Sequence, residues 1–310
     1  MEQSGIIQWL MQGDPAVRWQ VMRDLQNAPS EVYEQERARV ASCGWGNDLL
    51  SHQDENGMFG GGIYTPKWTS THYSLLLLAG LGLAPGNEQA LKSCNLLMER
   101  NYGKDGVESF GKNLRHNDDC VTGMLLYMFC YFGFKDERVH RLAEQLLSVQ
   151  MQDCGWNCRS RRNRNTVHSS FHTTLNVMEG LLQYEIRYPE RAAAARKARL
   201  EGMEFMLRHK LYQSHKTGKP AHPKMIMMSF PARWKFDFLR GLDFFRECKA
   251  EKDDRLSDAV GLLIEKRLPD GTWPVQNRWP GKEYFTLEQT GKPSRINTLR
   301  ALRILSWWEG

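Results

Sequence analysis

Long apolar runs, strand-like alternation and paired cysteines are all scarce in this chain of 310 residues. The longest apolar run, Val121 to Phe134, falls short of the ~20 residues that a membrane-spanning helix requires. Seven cysteines make an odd set without compact spacing, which argues against a disulfide-stapled scaffold and suits a reducing compartment. The opening segment MEQSGIIQWL has no basic stretch of the kind that starts a secretory signal, so a cytoplasmic location is expected. No segment sustains the apolar/polar alternation of a half-buried strand. What is present is amphipathic helical spacing, with 41% hydrophobic residues to build a sizeable core.

Three Gly-plus-aromatic segments, QDENGMFGGG from Gln53, ERNYGKDGVESF from Glu99 and QMQDCGWNCR from Gln150, each precede a strongly apolar stretch. Gly57, Gly106 and Gly155 stand 49 residues apart, and LPDGTWPV repeats the pattern at Gly271. A fixed period of this length marks one supersecondary unit used several times.

The helices that this reading predicts fall into two kinds. Glu88 to Arg100, Asp136 to Gln150, Glu190 to His209 and Asp253 to Arg267 carry one apolar face and one charged face, as outer helices do. Thr71 to Leu83, Val121 to Phe134, Phe171 to Tyr184, Trp234 to Phe245 and Thr298 to Trp308 are apolar around most of their circumference and are expected inside. At the N-terminus, residues 1–52 supply an outer helix Gln3 to Met11, an inner helix Pro15 to Gln26 capped by Asp14, and an outer helix Glu31 to Leu50. Six outer-inner pairs can close a ring, so the expected fold is all-α, a single α/α toroid over residues 1–310 with the Gly-aromatic repeats in 53–310.

In such a ring the long connections 53–68, 102–117, 153–167, 211–230 and 268–292 share one face with the inner-helix starts, at the mouth of a central cavity. Those connections carry between them the chain's whole net charge of +6. An anionic ligand at that mouth is expected, helped by inner-helix N-termini, although a basic run such as Arg159 to Arg164 is often only a solvated loop. With the charge confined to one mouth and no recognition motif in view, nucleic acid is not an expected partner.

Two inner helices open with metal-competent residues: RHNDDCVTG holds His116, Asp118, Asp119 and Cys120, and TVHSSFHTTLNVMEGL holds His168 and His172. Asp118, Cys120 and His172 would give one carboxylate, one thiolate and one imidazole with an open fourth position, a catalytic zinc arrangement. A plain helix cap, a core cysteine and a structural histidine are the ordinary alternatives. Cys154, Cys158, His168 and His172 form a competing set for a structural zinc site. Aromatic side chains at or near inner-helix starts, Trp68, Tyr73, Tyr127 and Trp234, either fill the core or line an apolar cavity.

From Gln53 onward the chain resembles the terpenoid cyclase and protein prenyltransferase superfamily of α/α toroids, through its Gly turns before apolar helices. GMFGGGIYTPKWTSTHYSLLLLAGLG and SSFHTTLNVMEGL are similar to segments of protein prenyltransferase β subunits. That resemblance implies a zinc-dependent prenyltransferase-like enzyme, with Asp118, Cys120 and His172 as zinc ligands and an isoprenoid diphosphate or thiol substrate. It places diphosphate contacts on Arg161, Arg162 and Arg164, joined by His72 and His116, and a prenyl-lined wall on Trp68, Tyr73 and Trp234. The chain encodes no helical α subunit, so a protein partner in its place is also implied. HNDD stands where class II terpene cyclases have their acidic motif, which makes a cyclase with Asp118 as general acid and Asp119 and His116 beside it the alternative. Polysaccharide-processing and non-catalytic ligand-binding toroids form a further alternative, since fold alone does not assign function.

Overall fold

The structure is a computed structural model that describes residues 3–103, 106–107, 118–160, 163 and 165–310. It is all-α, apart from short two-stranded pairings. Thirteen α-helices occur among the described residues, running α1 (Gln3–Met11), α2 (Pro15–Asp24), α3 (Ser30–Ala38), α4 (Gly44–Leu50), α5 (Thr71–Leu81), α6 (Glu88–Asn101) and α7 (Asp119–Phe132). They continue as α8 (Arg138–Ser148), α9 (Phe171–Arg187), α10 (Ala193–Arg208), α11 (Phe238–Glu247), α12 (Ser257–Glu265) and α13 (Arg295–Glu309). The expected absence of strands needs a small correction. Residues Tyr102–Gly103 (β1) pair with Gly106–Val107 (β2), and Trp273–Pro274 (β3) with Pro293–Ser294 (β4), both antiparallel. These pairings sit in the Gly turns, where two residues per strand are too few to show a periodicity in sequence.

Asp14 does more than cap α2. Its Oδ1 accepts from Ala16 N at 2.9 Å, and its Oδ2 accepts from Trp45 N at 2.8 Å, in the first turn of α4. The single helix expected over Glu31 to Leu50 is therefore two helices, α3 and α4, broken at Cys43-Gly44 so that Asp14 can reach the second. Gly44 permits the break with φ +65°, a backbone region that L side chains disfavour. The helix expected over Trp234 to Phe245 likewise starts later, at Phe238. Asp237 takes its N-cap, accepting from Arg240 N at 2.9 Å and from Ser229 N at 3.0 Å.

Among the described residues the repeated turn performs the same task in three places, the turn at Gly106 lying largely outside them. Phe59 N, Trp156 N and Trp273 N each donate to a threonine Oγ1 in the first turns of the following helix, Thr71, Thr174 and Thr298, at 2.9–3.0 Å. The two tryptophans are fully buried, and their Nε1 atoms donate back to the preceding helix at Leu146 O and Leu263 O. Each turn thus ties one helix to the next through an aromatic plug. The fourth repeat has no such turn, and the Asp237 cap fastens its helix to Ser229 instead.

Helix contacts run α5 to α7, α7 to α9, α11 to α13, and α13 to α2. Side chains join the remaining neighbours. Trp19 Nε1 of α2 donates to Leu81 O of α5, and Arg240 of α11 donates to Glu179 and Asn176 of α9. The closest pair is α7 and α9, where a Cβ on Gly123 would lie 2.6 Å from Asn176 O. Only glycine allows the two backbones that near. A smaller apolar cluster, with Ile6, Leu10, Val17 and Val21 against Ile296 and Leu299, joins the first helices to the last. No helix among the described residues is long and apolar enough to cross a membrane.

Candidate functional site

A cavity of about 500 Å³ is lined by side chains from α2, α5, α7, α9, α11 and α13. Apolar lining comes from Leu76, Leu77, Leu182, Phe230, Ile296 and Leu299, with the rings of Tyr73, Tyr127 and Tyr131 among them. The rest is heavily charged. Arg23, Arg37, Arg233, Arg240, Arg246, Lys249, Arg300 and Arg303 face four carboxylates, Asp24, Glu179, Asp243 and Glu247, so the wall carries surplus positive charge.

Much of that charge is neutralised in a web centred on Asp243. Arg303 Nε donates to its Oδ1 at 2.8 Å and Arg303 Nη2 to its Oδ2, while Arg246 Nε reaches Oδ1 at 2.8 Å. Arg303 Nη1 also donates to Gln20 Oε1 at 3.0 Å and to Asp24 Oδ2 at 3.1 Å, tying α13 to α2. Burial pushes the Asp243 pKa up, but the charges of Arg303, Arg246 and Arg300 outweigh it and hold the carboxyl well below the usual range. Arg240 is satisfied on all sides by Glu179, Asn176 and the carbonyls of Arg233 and Lys235.

Two guanidinium groups are not. Arg233 Nη2 is paired with Glu283 Oε1 at 2.6 Å and its guanidinium lies 5.2 Å from the Trp68 ring centroid, yet its Nη1 is buried without a partner. Arg300 Nε lies 3.5 Å from Asp243 Oδ2, and its Nη1 is also buried without a partner. Burial lowers the pKa of both groups, the direction expected for cations short of solvent and of acceptors. Glu247 faces the cavity yet is surrounded by protein atoms. Burial, reinforced by the Asp243 charge, raises its carboxyl pKa.

A second hollow of about 310 Å³ lies between His172, His222, Lys224, Lys235 and Trp279. Lys235 Nζ sits 3.7 Å from the Trp234 ring centroid and 5.1 Å from that of Trp279, and Lys224 Nζ sits 4.5 Å from Trp279. Burial, then the charges of Lys67 and Lys224, lower the Lys235 pKa. His172 Nδ1 accepts from Phe236 N at 2.8 Å, which assigns the proton of the neutral ring to Nε2. Burial first, then Lys235 and Arg240, depress His172 to about 4.

The residues expected from sequence are distributed unevenly around these two spaces. Tyr73 and Tyr127 line the larger cavity, and the Tyr73 hydroxyl donates to Tyr64 Oη at 2.8 Å. Trp68 is buried and donates from Nε1 to Pro280 O at 2.8 Å, behind Arg233. Trp234 packs on His172 and Lys235 beside the smaller hollow. His72 is fully buried between the rings of Tyr64 and Tyr73, and burial depresses it to about 3. His116, Arg161, Arg162 and Arg164 lie outside the described residues.

Asp118 occupies the N-cap position of α7, and Asp119 is fully buried in its first turn. Neither lines either cavity. Cys120 is engaged with Cys158 rather than with His172. Cys158 Sγ accepts from Cys120 N at 3.4 Å and lies 3.3 Å from Thr173 Oγ1. Those donors, Cys120 foremost, lower the Cys158 pKa, and the same contact with burial raises that of Cys120. Asp118, Cys120 and His172 are thus not brought into one ligand group, because the thiol and the imidazole each face a different partner. The set Cys154, Cys158, His168 and His172 is not assembled either, with the Cys154 thiol toward Gln152 O and the His168 ring beside His215. Among the described residues no three His, Cys, Asp or Glu side chains converge to hold a metal ion.

The sequence reading missed Arg233, Arg240, Arg300, Arg303, Asp243, Glu179 and Glu247. A signal for most of them was present. Asn176, Glu179 and Gln183 on α9, and Arg240, Asp243 and Glu247 on α11, recur at i, i+3 and i+7, a polar stripe on otherwise apolar helices.

No protein-family model and no curated protein matches this chain. A crystal structure of a protein from Actinoplanes is similar at 16% identity, covering 96% of this chain and 90% of that one, with a TM-score of 0.49. A likeness that loose transfers neither fold nor function.

Proposed function

We propose that the chain is an α/α toroid whose central cavity binds a small amphiphilic anion, an isoprenoid-type diphosphate being the class that fits best. The helix contacts, completed by side-chain bonds from α2 to α5 and from α11 to α9, and the six helices lining one cavity support the ring. The observation that carries the ligand class is the pair of buried guanidinium atoms without partners, Arg233 Nη1 and Arg300 Nη1, in a wall already rich in cations. An unpaired buried donor on a cation is costly, and an anionic oxygen is the acceptor that satisfies it best. Leu76, Leu77, Leu182 and Leu299 offer the apolar remainder of the wall to a hydrocarbon tail.

Calorimetric titration with farnesyl diphosphate, inorganic pyrophosphate and farnesol tests this reading. The diphosphate ester is expected to bind more tightly than either fragment, with affinity falling as salt rises. Equal binding of farnesol and the ester, or no binding of any of the three, overturns it. Glu247 favours a second reading, the processing of an acidic saccharide, because a carboxyl with raised pKa inside a cavity is poised as a general acid. Turnover of a uronate-containing oligosaccharide that is lost in Glu247→Gln decides for that alternative.

A further inference from the structure

We propose that Cys120 and Cys158 form a reversible dithiol–disulfide couple, with Cys158 as the attacking thiol and Cys120 as the resolving one. All seven cysteines are reduced, and two features set this pair apart. The first is proximity between distant segments: Cys158 follows the Gly155-Trp156 turn, Cys120 opens α7, and the Cys120 backbone N–H reaches Cys158 Sγ at 3.4 Å across 38 positions of sequence. The second is the set of donors on one sulfur. Cys158 Sγ receives the Cys120 backbone N–H at 3.4 Å and lies 3.3 Å from the Thr173 hydroxyl, both of which favour the thiolate. Cys158 is half-buried and within reach of a small reagent, whereas Cys120 is 8% exposed beneath it. Among the described residues Cys94 and Cys130 are buried with no hydrogen bond to sulfur, Cys43 lies beside Ser42 and Arg39, Cys154 reaches only Gln152 O, and Cys248 accepts from Arg199 Nη1 at 3.5 Å with no thiol among its partners.

With a low-molecular-weight disulfide as oxidant, the chemistry balances in two exchanges. The Cys158 thiolate attacks one sulfur of the reagent, an S–S bond to Cys158 forms, the reagent's own S–S bond breaks, and one small thiolate leaves. Cys120 then transfers its proton to solvent and attacks Cys158 Sγ. The Cys120–Cys158 bond forms and the second small thiolate leaves. Two electrons have moved from the protein sulfurs to the reagent, and the two thiol protons end on the two released thiolates. Among the described residues no third donor converges on the pair.

The test is peptide mapping of the folded protein after equilibration with oxidised and reduced glutathione in varied ratio, without and with a chelator. A Cys120–Cys158 disulfide that is reversed by excess dithiol is expected. In Cys120→Ser a glutathione adduct should accumulate on Cys158, and in Cys158→Ser neither position should be modified. Wild-type protein in which Cys120 and Cys158 stay alkylatable while Cys43 or Cys154 is oxidised refutes the proposal. So does oxidation of the pair only after chelation, which would assign it to a bound metal. The wild-type measurement stands by itself should either variant fail to fold.

Discussion

Replacing Arg300 by methionine separates a recognition role from a structural one. Arg300 touches Asp243 only at 3.5 Å, beyond good hydrogen-bond length, and Asp243 keeps Arg303 and Arg246 without it. The lost contact is worth about 1 kcal/mol at most. Against that loss stands the removal of a poorly paired buried charge, which is favourable. The two terms nearly cancel, so urea unfolding of unliganded Arg300→Met is expected to fall within about 1 kcal/mol of wild type. An anion bound in the cavity would instead lose a charge-assisted hydrogen bond of roughly 1.5–3 kcal/mol, a 10- to 150-fold rise in Kd by calorimetry. Asp243→Asn is the contrast. It deprives Arg246 and Arg300 of their carboxylate, leaves Arg303 with Asp24 as its one charged partner, and should cost about 3–5 kcal/mol of stability. If Arg300→Met instead destabilises the protein by several kcal/mol and leaves anion affinity unchanged, the cavity charge belongs to the fold and the ligand argument fails.

Acidification tests the two buried histidines. His72 and His172 stay neutral in the fold down to about 3 and about 4, whereas the unfolded chain takes up a proton near the ordinary histidine value of 6.5. Between those values the unfolded state binds more protons, so stability is complete above about pH 6.5 and falls as pH drops. The slope is about 1.4 kcal/mol per pH unit for each histidine, with His172 contributing no further loss below about pH 4. Unfolding curves from pH 7 to 5 should be shallower in His172→Gln by that amount, and an unchanged slope contradicts the assignment. Gly123→Ala drives a methyl group against the Asn176 carbonyl of α9 and is expected to cost about 1–3 kcal/mol or more, read as a lower urea midpoint. Thr174→Val and Thr298→Val each orphan a buried tryptophan N–H and should cost a similar ~1–3 kcal/mol. Clearly unequal losses would deny that the two turns are one repeated device.

Sequence sufficed for the helices because their signals are local. The spacing of Val139, Leu142, Ala143 and Leu146 places α8 within two residues of its observed ends, and Asp14-Pro15 marks the start of α2. What failed depended on partners distant in sequence. Asp14 reaches across to Trp45 and divides a helix that Glu31 to Leu50 reads as continuous, and Ser229 helps fix Asp237 as the cap that delays α11. The cysteine ligand suffered likewise. The Asp-x-Cys at the start of α7 is visible in one segment, but the sulfur that Cys120 meets comes from position 158, and no spacing rule connects them.

The charge argument is instructive in another way. Summing the long connections placed the positive surplus at the mouth, yet the cations that line the large cavity belong mostly to the helices themselves: Arg23, Arg240, Arg246, Arg300 and Arg303. A helix apolar around most of its circumference still has a remaining face, and on α2, α9, α11 and α13 that face lines the cavity. FLRGLDFFRE and RINTLRALRIL each carry charge at helical spacing within an apolar context. Such residues cannot be solvated on the outside, where neighbouring helices cover them, and cannot sit in the core unpaired. They must either neutralise one another or meet a ligand. Asp243 and Arg303 take the first course, and Arg233 and Arg300 each keep an Nη1 without a partner, the feature on which the anion proposal rests.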